Sequence, residues 1–279
     1  MAYGTRAYLG QARDLALSLR LHGTQVPLAL ITEWPDDQHC EQFDVVVPMR
    51  GKPSRDCRPK LDLDTYTPFR RTLYLDSDGL AVRDVRFLLN RFTSHDFVVL
   101  GSNISTGRWY GDVAEMCEHA GSASIPKFSG GFMYFTTTPV VTSIFQAARA
   151  MAARYDDLRL DKFNGGIADE PLLSIALAHH RVAALPTMPD TSASLLGTTE
   201  PPDIDVLAGR AVFTKYGRTM KPAIVHFAGD HSSRWRRAGA TYRRQRRRLH
   251  RAATTRLRAA STASSIKART ATQTDSSSR

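Results

Sequence analysis

Cysteine is scarce in this chain, and the three present, Cys40, Cys57 and Cys117, are odd in number, widely spaced and free of any Cys-X-X-Cys pair. They read as ordinary thiols in a reducing compartment, not as a disulfide framework. Long apolar runs are missing too: none approaches the roughly 18 residues that a membrane-spanning helix needs. Met1 to Arg6 lacks the apolar core of a signal peptide, so the expected location is cytoplasmic. Acid is almost absent from the C-terminal end. Between Arg234 and Arg279 there are 14 Lys plus Arg against Asp275 alone, and the rest of the chain holds 24 basic and 26 acidic residues. The net charge of +11 over 279 residues therefore belongs to a tail, and the remainder is close to neutral. A specific nucleic-acid partner is not expected from such a balance, although Arg243 to Arg248 would bind RNA or DNA nonspecifically.

What is present centres on Thr72-Leu73-Tyr74-Leu75-Asp76-Ser77-Asp78-Gly79. An apolar stretch between Arg70-Arg71 and Gly79 fits a buried strand of an α/β sheet, and it ends in two carboxylates. Residues two apart in an extended chain face the same side, which sets Asp76 and Asp78 together, roughly 6–7 Å apart at Cα. Hard oxygen ligands so spaced suit Mg²⁺ or Mn²⁺, and such an ion could bridge to a diphosphate leaving group. Asp-Ser-Asp-Gly is also good turn chemistry, and an Asp-X-Asp-Gly after a strand occurs in haloacid-dehalogenase-type phosphatases. That phosphatase motif normally opens its domain, whereas some 70 residues precede it here.

Around this centre the periodicity predicts alternating strands and helices, hence a mostly parallel central sheet. Arg6 to Leu21 has helical spacing with Gly23 as C-terminal cap, and residues 28–31 and 44–47 read as strands. Only Met1 to Gly4 precedes the first helix, so the first strand of the fold is expected to be truncated. Asp84 is placed to cap a short helix. Phe97 to Leu100 reads as a strand, Gly101 to Lys127 as a loop of about 25 residues with Trp109 and Tyr110 in it, and Phe128 to Phe135 as a strand entered through Gly130-Gly131. Adjacent glycines there allow either close approach of a ligand or backbone, or a tight turn. Thr138-Pro139 starts a helix. Asp169 reads as the N-cap of a helix with Pro171 in its first turn. Residues 186–202 look irregular, and Pro222 to Phe227 is the last strand.

The order of these pieces resembles the GT-A-fold glycosyltransferases, in particular the glycogenin-like and lipopolysaccharide-galactosyltransferase-like branch that retains anomeric configuration. The matching pieces are Ser18-Leu19-Arg20, Lys60 with Pro68-Phe69-Arg70 leading into Leu73 to Asp78, Phe128-Ser129-Gly130-Gly131, Asp169-Glu170 and Val225-His226-Phe227-Ala228-Gly229. The resemblance covers roughly residues 1–235. It implies transfer of a sugar from a nucleotide diphosphate, most often UDP, to a glycan, protein or lipid-linked acceptor, with Mn²⁺ (or Mg²⁺) held by Asp76, Asp78 and His226. Lys60, Asp76, Ser77, Gly130 and Gly131 would lie on the donor, Tyr3 and Tyr8 against its base, and Asp169 and Glu170 would face the transferred sugar as the catalytic pair. The chain departs from the family at Ser129, where it usually has Asn, and at Glu170, where it usually has Gln. It also lacks the Lys-Pro-Trp that follows His-X-X-Gly, and Arg234 is the candidate to replace that lysine on the phosphate.

Two units are therefore expected: a GT-A-like domain over residues 1–233 and a basic tail over 234–279. Trp235, Tyr242 and Leu249 recur at seven-residue spacing, which suggests a basic amphipathic helix suited to an anionic membrane surface. Two other functions compete: a non-enzymatic polyanion- or membrane-binding protein on a degenerate transferase fold, and a phosphohydrolase using Asp76 as nucleophile.

Overall fold

The computed structural model describes residues 1–51, 53–198, 200–228 and 239–253. Its helices and strands run in the order α1 (Ala7–Leu21), β1 (Ala29–Thr32), β2 (Val45–Pro48), α2 (Leu63–Tyr66), β3 (Arg71–Leu75), β4 (Gly79–Ala81), α3 (Arg86–Arg91), β5 (Phe97–Ile104) and α4 (Val113–Ala120). Then follow β6 (Ile125–Thr136), α5 (Pro139–Ala152), α6 (Asp169–His179), β7 (Leu185–Pro186), β8 (Ser192–Ser194), β9 (Asp203–Asp205), β10 (Arg210–Lys215), β11 (Arg218–Met220) and β12 (Ile224–His226). A last helix, α7, covers residues 239–253.

The α/β class holds, but the sheets are mixed where a mostly parallel one was expected. The central order is β3-β6-β5-β7, and β6 runs antiparallel to both β3 and β5. Parallel pairing joins β1 to β2, β5 to β7 and β8 to β12. The reason is β6 itself. Its 12 residues run antiparallel to both neighbours, with Tyr134 opposite Leu73 of β3 on one edge and opposite Val98 of β5 on the other. Its buried run Gly130 to Phe135 packs under α5 and α6, where Phe97, Phe135 and Phe145 lie with ring centroids 5.3 to 5.8 Å apart. At the N-terminus, Ala2 makes a single parallel bridge to Thr32, with its N–H on Ile31 O at 2.9 Å.

Three further expectations are corrected. The loop over Gly101 to Lys127 contains α4, which begins where Asp112 accepts from the Ala114 and Glu115 N–H groups and ends at Gly121 in the left-handed region (φ 60°). The irregular stretch 186–202 contains β8, which pairs with β12 from Ser192↔Ile224 to Ser194↔His226. Asp169 is not the N-cap of α6. Ala168 holds that position without a side-chain bond, and Asp169 is the first helical residue. Its side chain is thereby free to point into the site.

Of the tail, α7 is described and packs on the preceding fold. Tyr242 and Leu249 are buried with Val206, Phe213 and Phe227, and Gln245 bonds both Val206 N and Ile204 O of β9. The seven-residue pattern is real, but Tyr242 and Leu249 serve the protein's own core, so the apolar face expected for a membrane is already covered. Trp235 and Arg234 lie outside the described residues. No helix among those described is long and apolar enough to cross a membrane.

Candidate active site

Strand ends bring the site together. Leu75 closes β3 opposite Phe132, and the next residue, Asp76, donates its N–H to Gly131 O at 3.1 Å. Gly79 opens β4 opposite His226, and Phe227 N–H returns to Asp78 O at 3.1 Å. Helix α1 locks this corner from behind, where buried Ser18 takes the Ala81 N–H on its Oγ at 2.9 Å and donates to Leu15 O. Backbone pairing thus fixes Asp76, Asp78 and His226 relative to one another before any side chain is considered.

Their ligand atoms lie within 4.8 Å of each other. His226 Nε2 is 3.0 Å from Asp78 Oδ1 and 3.8 Å from Asp76 Oδ2. Two carboxylates and an imidazole form a donor set suited to a divalent ion. Burial alone would lower the His226 pKa, but the Asp78 and Asp76 charges outweigh it and raise the value. Burial would raise that of Asp76; Lys60 and His226 reverse it, so Asp76 stays ionised. The residues present therefore fit a divalent metal.

Lys60 is the cation of the interior. Its Nζ sits 2.9 Å from Asp76 Oδ1, 3.0 Å from Oδ2 and 3.7 Å from Asp169 Oδ2. Burial would discharge it, yet Asp169 and Asp76 hold its pKa well above the ordinary lysine value. Tyr74 donates its hydroxyl to Asp76 Oδ1 at 2.7 Å, a partner that alternation along β3 implied but no motif marked.

The glycine pair admits other side chains. A Cβ on Gly131 would lie 2.4 Å from His226 Cε1, and one on Gly130 would lie 2.7 Å from Asp169 Oδ2 and 3.3 Å from Glu170 Cγ. Both glycines sit inside β6, not at a turn before it. Asp169 is buried, and its Oδ2, 3.7 Å from Lys60 Nζ, accepts no hydrogen bond among the described residues. Burial raises its pKa, Lys60 opposes and Asp76 adds to the rise. Cys57 donates to Asp169, and its thiol is pushed up to about 12 by burial and by the Asp169 charge. Glu170 Oε1 accepts the Gly130 N–H at 2.7 Å, and the Tyr110 hydroxyl also bonds this carboxyl. Tyr110 comes from the segment first read as one long loop.

The remaining candidates scatter around this core. Tyr3 donates its hydroxyl to Asp56 O at 2.9 Å and lies close enough to feel the charges of Lys60, Asp169 and Asp76. Tyr8 is 44% exposed on α1, on the Asp78 side. Ser77 reaches Gln11 Oε1 of α1 at 3.4 Å.

No family model matches the sequence, and no curated protein matches it. Solved structures do. The galactosyltransferase LgtC, solved with donor and acceptor sugar analogues, matches with a TM-score of 0.52 at 14% identity, over 85% of this chain and 94% of LgtC. The fold is GT-A. Mouse xyloside xylosyltransferase 1 matches at 0.47 and 12% identity over 78% of this chain and 91% of its own. GlyE of Streptococcus pneumoniae TIGR4 matches at 0.44 and 15%, and this chain spans only 43% of GlyE's length. In this fold Asp76 follows β3, Asp78 precedes β4 and His226 ends β12.

Proposed function

We propose that this chain is a metal-dependent glycosyltransferase that moves a sugar from a nucleotide diphosphate, most readily UDP, to a glycan, protein or lipid-linked acceptor with retention of configuration. The observation that carries the reading is the convergence of Asp76, Asp78 and His226, with ligand atoms within 4.8 Å, beside the Asp169–Glu170 pair. Asp76, Asp78 and His226 would hold the metal, Mn²⁺ before Mg²⁺ because of the imidazole. When bound, the ion would supply charge neutralisation at the diphosphate.

The chain's own residues would do the rest. Lys60 would steady the donor, its ammonium kept charged by two carboxylates. Gly130 and Gly131 let the Asp169–Glu170 pair and the His226 ring close against β6. Asp169, buried with one oxygen that accepts no hydrogen bond among the described residues, would accept from sugar hydroxyls and stabilise positive charge at the anomeric carbon. Tyr3 and Tyr8 would edge the base. The phosphohydrolase reading is disfavoured by Asp76, whose carboxylate accepts from both Lys60 and Tyr74 and is ill placed to attack phosphorus.

A panel of nucleotide sugars incubated with Mn²⁺ tests the proposal. Release of UDP with one donor, absent in Asp78→Asn and under EDTA, is expected. The anomeric proton coupling of the released or transferred sugar then reads retention. No turnover of any donor would count against transfer. A second observation concerns location: Arg244 and Arg247 are exposed on α7, so an electrostatic contact with anionic surfaces is proposed. Pelleting with anionic vesicles that is lost in Arg244→Glu/Arg247→Glu is expected, and equal pelleting of both proteins would refute it.

A further inference from the structure

The carboxyl groups in this site outnumber the cations that face them. Asp76, Asp78, Asp169 and Glu170 are served by Lys60 and, when protonated, His226. Lys60 is shared between Asp76 and Asp169, and His226 is spent on Asp78 and Asp76. No ion pair reaches Glu170 among the described residues. A metal on Asp76, Asp78 and His226 would leave Asp169 and Glu170, consecutive at the start of α6, with Lys60 alone.

We propose that Glu170 is the neutral member of this pair and acts as a hydrogen-bond donor, offering its O–H to a hydroxyl oxygen of the transferred sugar. The proposal rests on the transferase reading and deepens it, giving Glu170 a donor's part toward the transferred sugar. Three features of the geometry support it. Glu170 Oε1 is fixed by the Gly130 N–H at 2.7 Å, which orients the carboxyl and leaves one proton to offer. Asp169, the residue before Glu170, lies with Oδ2 3.7 Å from Lys60 Nζ, and the same ammonium is 2.9 Å from Asp76 Oδ1 of the proposed metal set, so one cation joins the pair to that set. The neighbouring Asp169 brings a like charge into the same enclosure, and two carboxylates sharing one cation do not both ionise readily.

The groups facing Glu170 are Asp169 on α6, the Gly130 N–H of β6, Lys60 ahead of α2 and the Tyr110 hydroxyl ahead of α4. Burial and the Asp169 charge together raise the Glu170 pKa to about 7, while Gly130, Lys60 and Tyr110 pull it down. The proton is thus held in the neutral range and lost above it. A charged Glu170 could only accept, and would face Asp169 with one cation between them.

Two measurements test this. Infrared titration of the metal-free protein reads the carboxylic-acid carbonyl band directly and needs no substrate. A band present on the acid side of neutrality, lost above it and missing from Glu170→Gln supports the proposal; no such difference between the two proteins overturns it. The second is the pH profile of kcat/KM for whichever donor the panel finds. Wild type should lose about tenfold per pH unit above neutrality, while Glu170→Gln should keep its activity flat over that range. An alkaline limb unchanged in Glu170→Gln, or a Glu170→Gln enzyme inactive at every pH, overturns the donor role. If no donor turns over, the transferase reading fails, and the infrared titration alone still decides whether Glu170 holds its proton.

Discussion

A side chain on Gly131 would place Cβ 2.4 Å from Cε1 of His226. The imidazole stands on the backbone of β6, and only glycine leaves it that room. Gly131→Ala is expected to push His226 off Asp78, weakening Mn²⁺-dependent nucleotide binding at least tenfold, about 1.4 kcal/mol. The fold should survive with a loss of about 1–3 kcal/mol from overpacking. Calorimetry and thermal unfolding of the variant check the two effects separately.

Lys60 neutralises Asp76 and Asp169 in the interior. Lys60→Met should therefore cost about 3 kcal/mol at neutral pH, because buried Asp169 and half-buried Asp76 lose their cation. The sign follows from Asp76. Its folded pKa is lowered, so its contribution is present above the unfolded value of 3.8 and fades as pH falls through the folded one. The gap between wild type and Lys60→Met should narrow in acid, and denaturant titrations at two pH values would show it.

His226 runs the other way. Its folded pKa is raised, so its ion pair with Asp78 stabilises the metal-free protein fully below the unfolded value of 6.5 and fades as pH rises through the folded value. A metal needs the neutral imidazole and must displace that proton. Stabilisation by Mn²⁺, read as a shift in Tm, should grow as pH rises through neutrality. In Asp78→Asn that growth should be lost.

Asp14 on α1 is wholly buried and bonded to Arg13 at 3.0 Å and to Arg246 and His250 of α7. On the same helix Tyr242 stacks on Phe227, centroid to centroid 4.8 Å, one residue past His226. Asp14→Ala should take this anion from Arg13 and Arg246 and cost about 3 kcal/mol. Hydrogen exchange should show α7 released first, with Mn²⁺ affinity falling as Phe227 loosens. Unchanged protection of α7 would contradict this coupling.

These cases show what could be read from the chain. Asp76, Asp78 and His226 were legible from the order of the motifs, although Asp76 to Gly79 forms a turn, with the Gly79 N–H on Asp76 O at 3.1 Å, and not the extended strand that alternation assumed; α1 and α5 were legible because their apolar spacing is regular. Helix α4 was missed although Asp112 and Glu115 form a capping pattern, since the surrounding glycines and aromatics suggested a loop. Asp14 gave no local signal, because two of its partners, Arg246 and His250, lie over 230 residues away. Asp169 looked like a cap by residue type, whereas its side chain lies against Gly130, a contact distant in the sequence. The antiparallel course of β6 depends on pairing partners, which periodicity does not name.

The central claim is a metal-assisted nucleotide site on Asp76, Asp78 and His226, and titration of UDP by calorimetry tests it most directly. The protein is titrated with Mn²⁺ and with EDTA, alongside Asp78→Asn. Micromolar binding that needs Mn²⁺ and disappears in the mutant is the predicted result. Absence of UDP binding with Mn²⁺, or binding equally strong in EDTA and in Asp78→Asn, would contradict it.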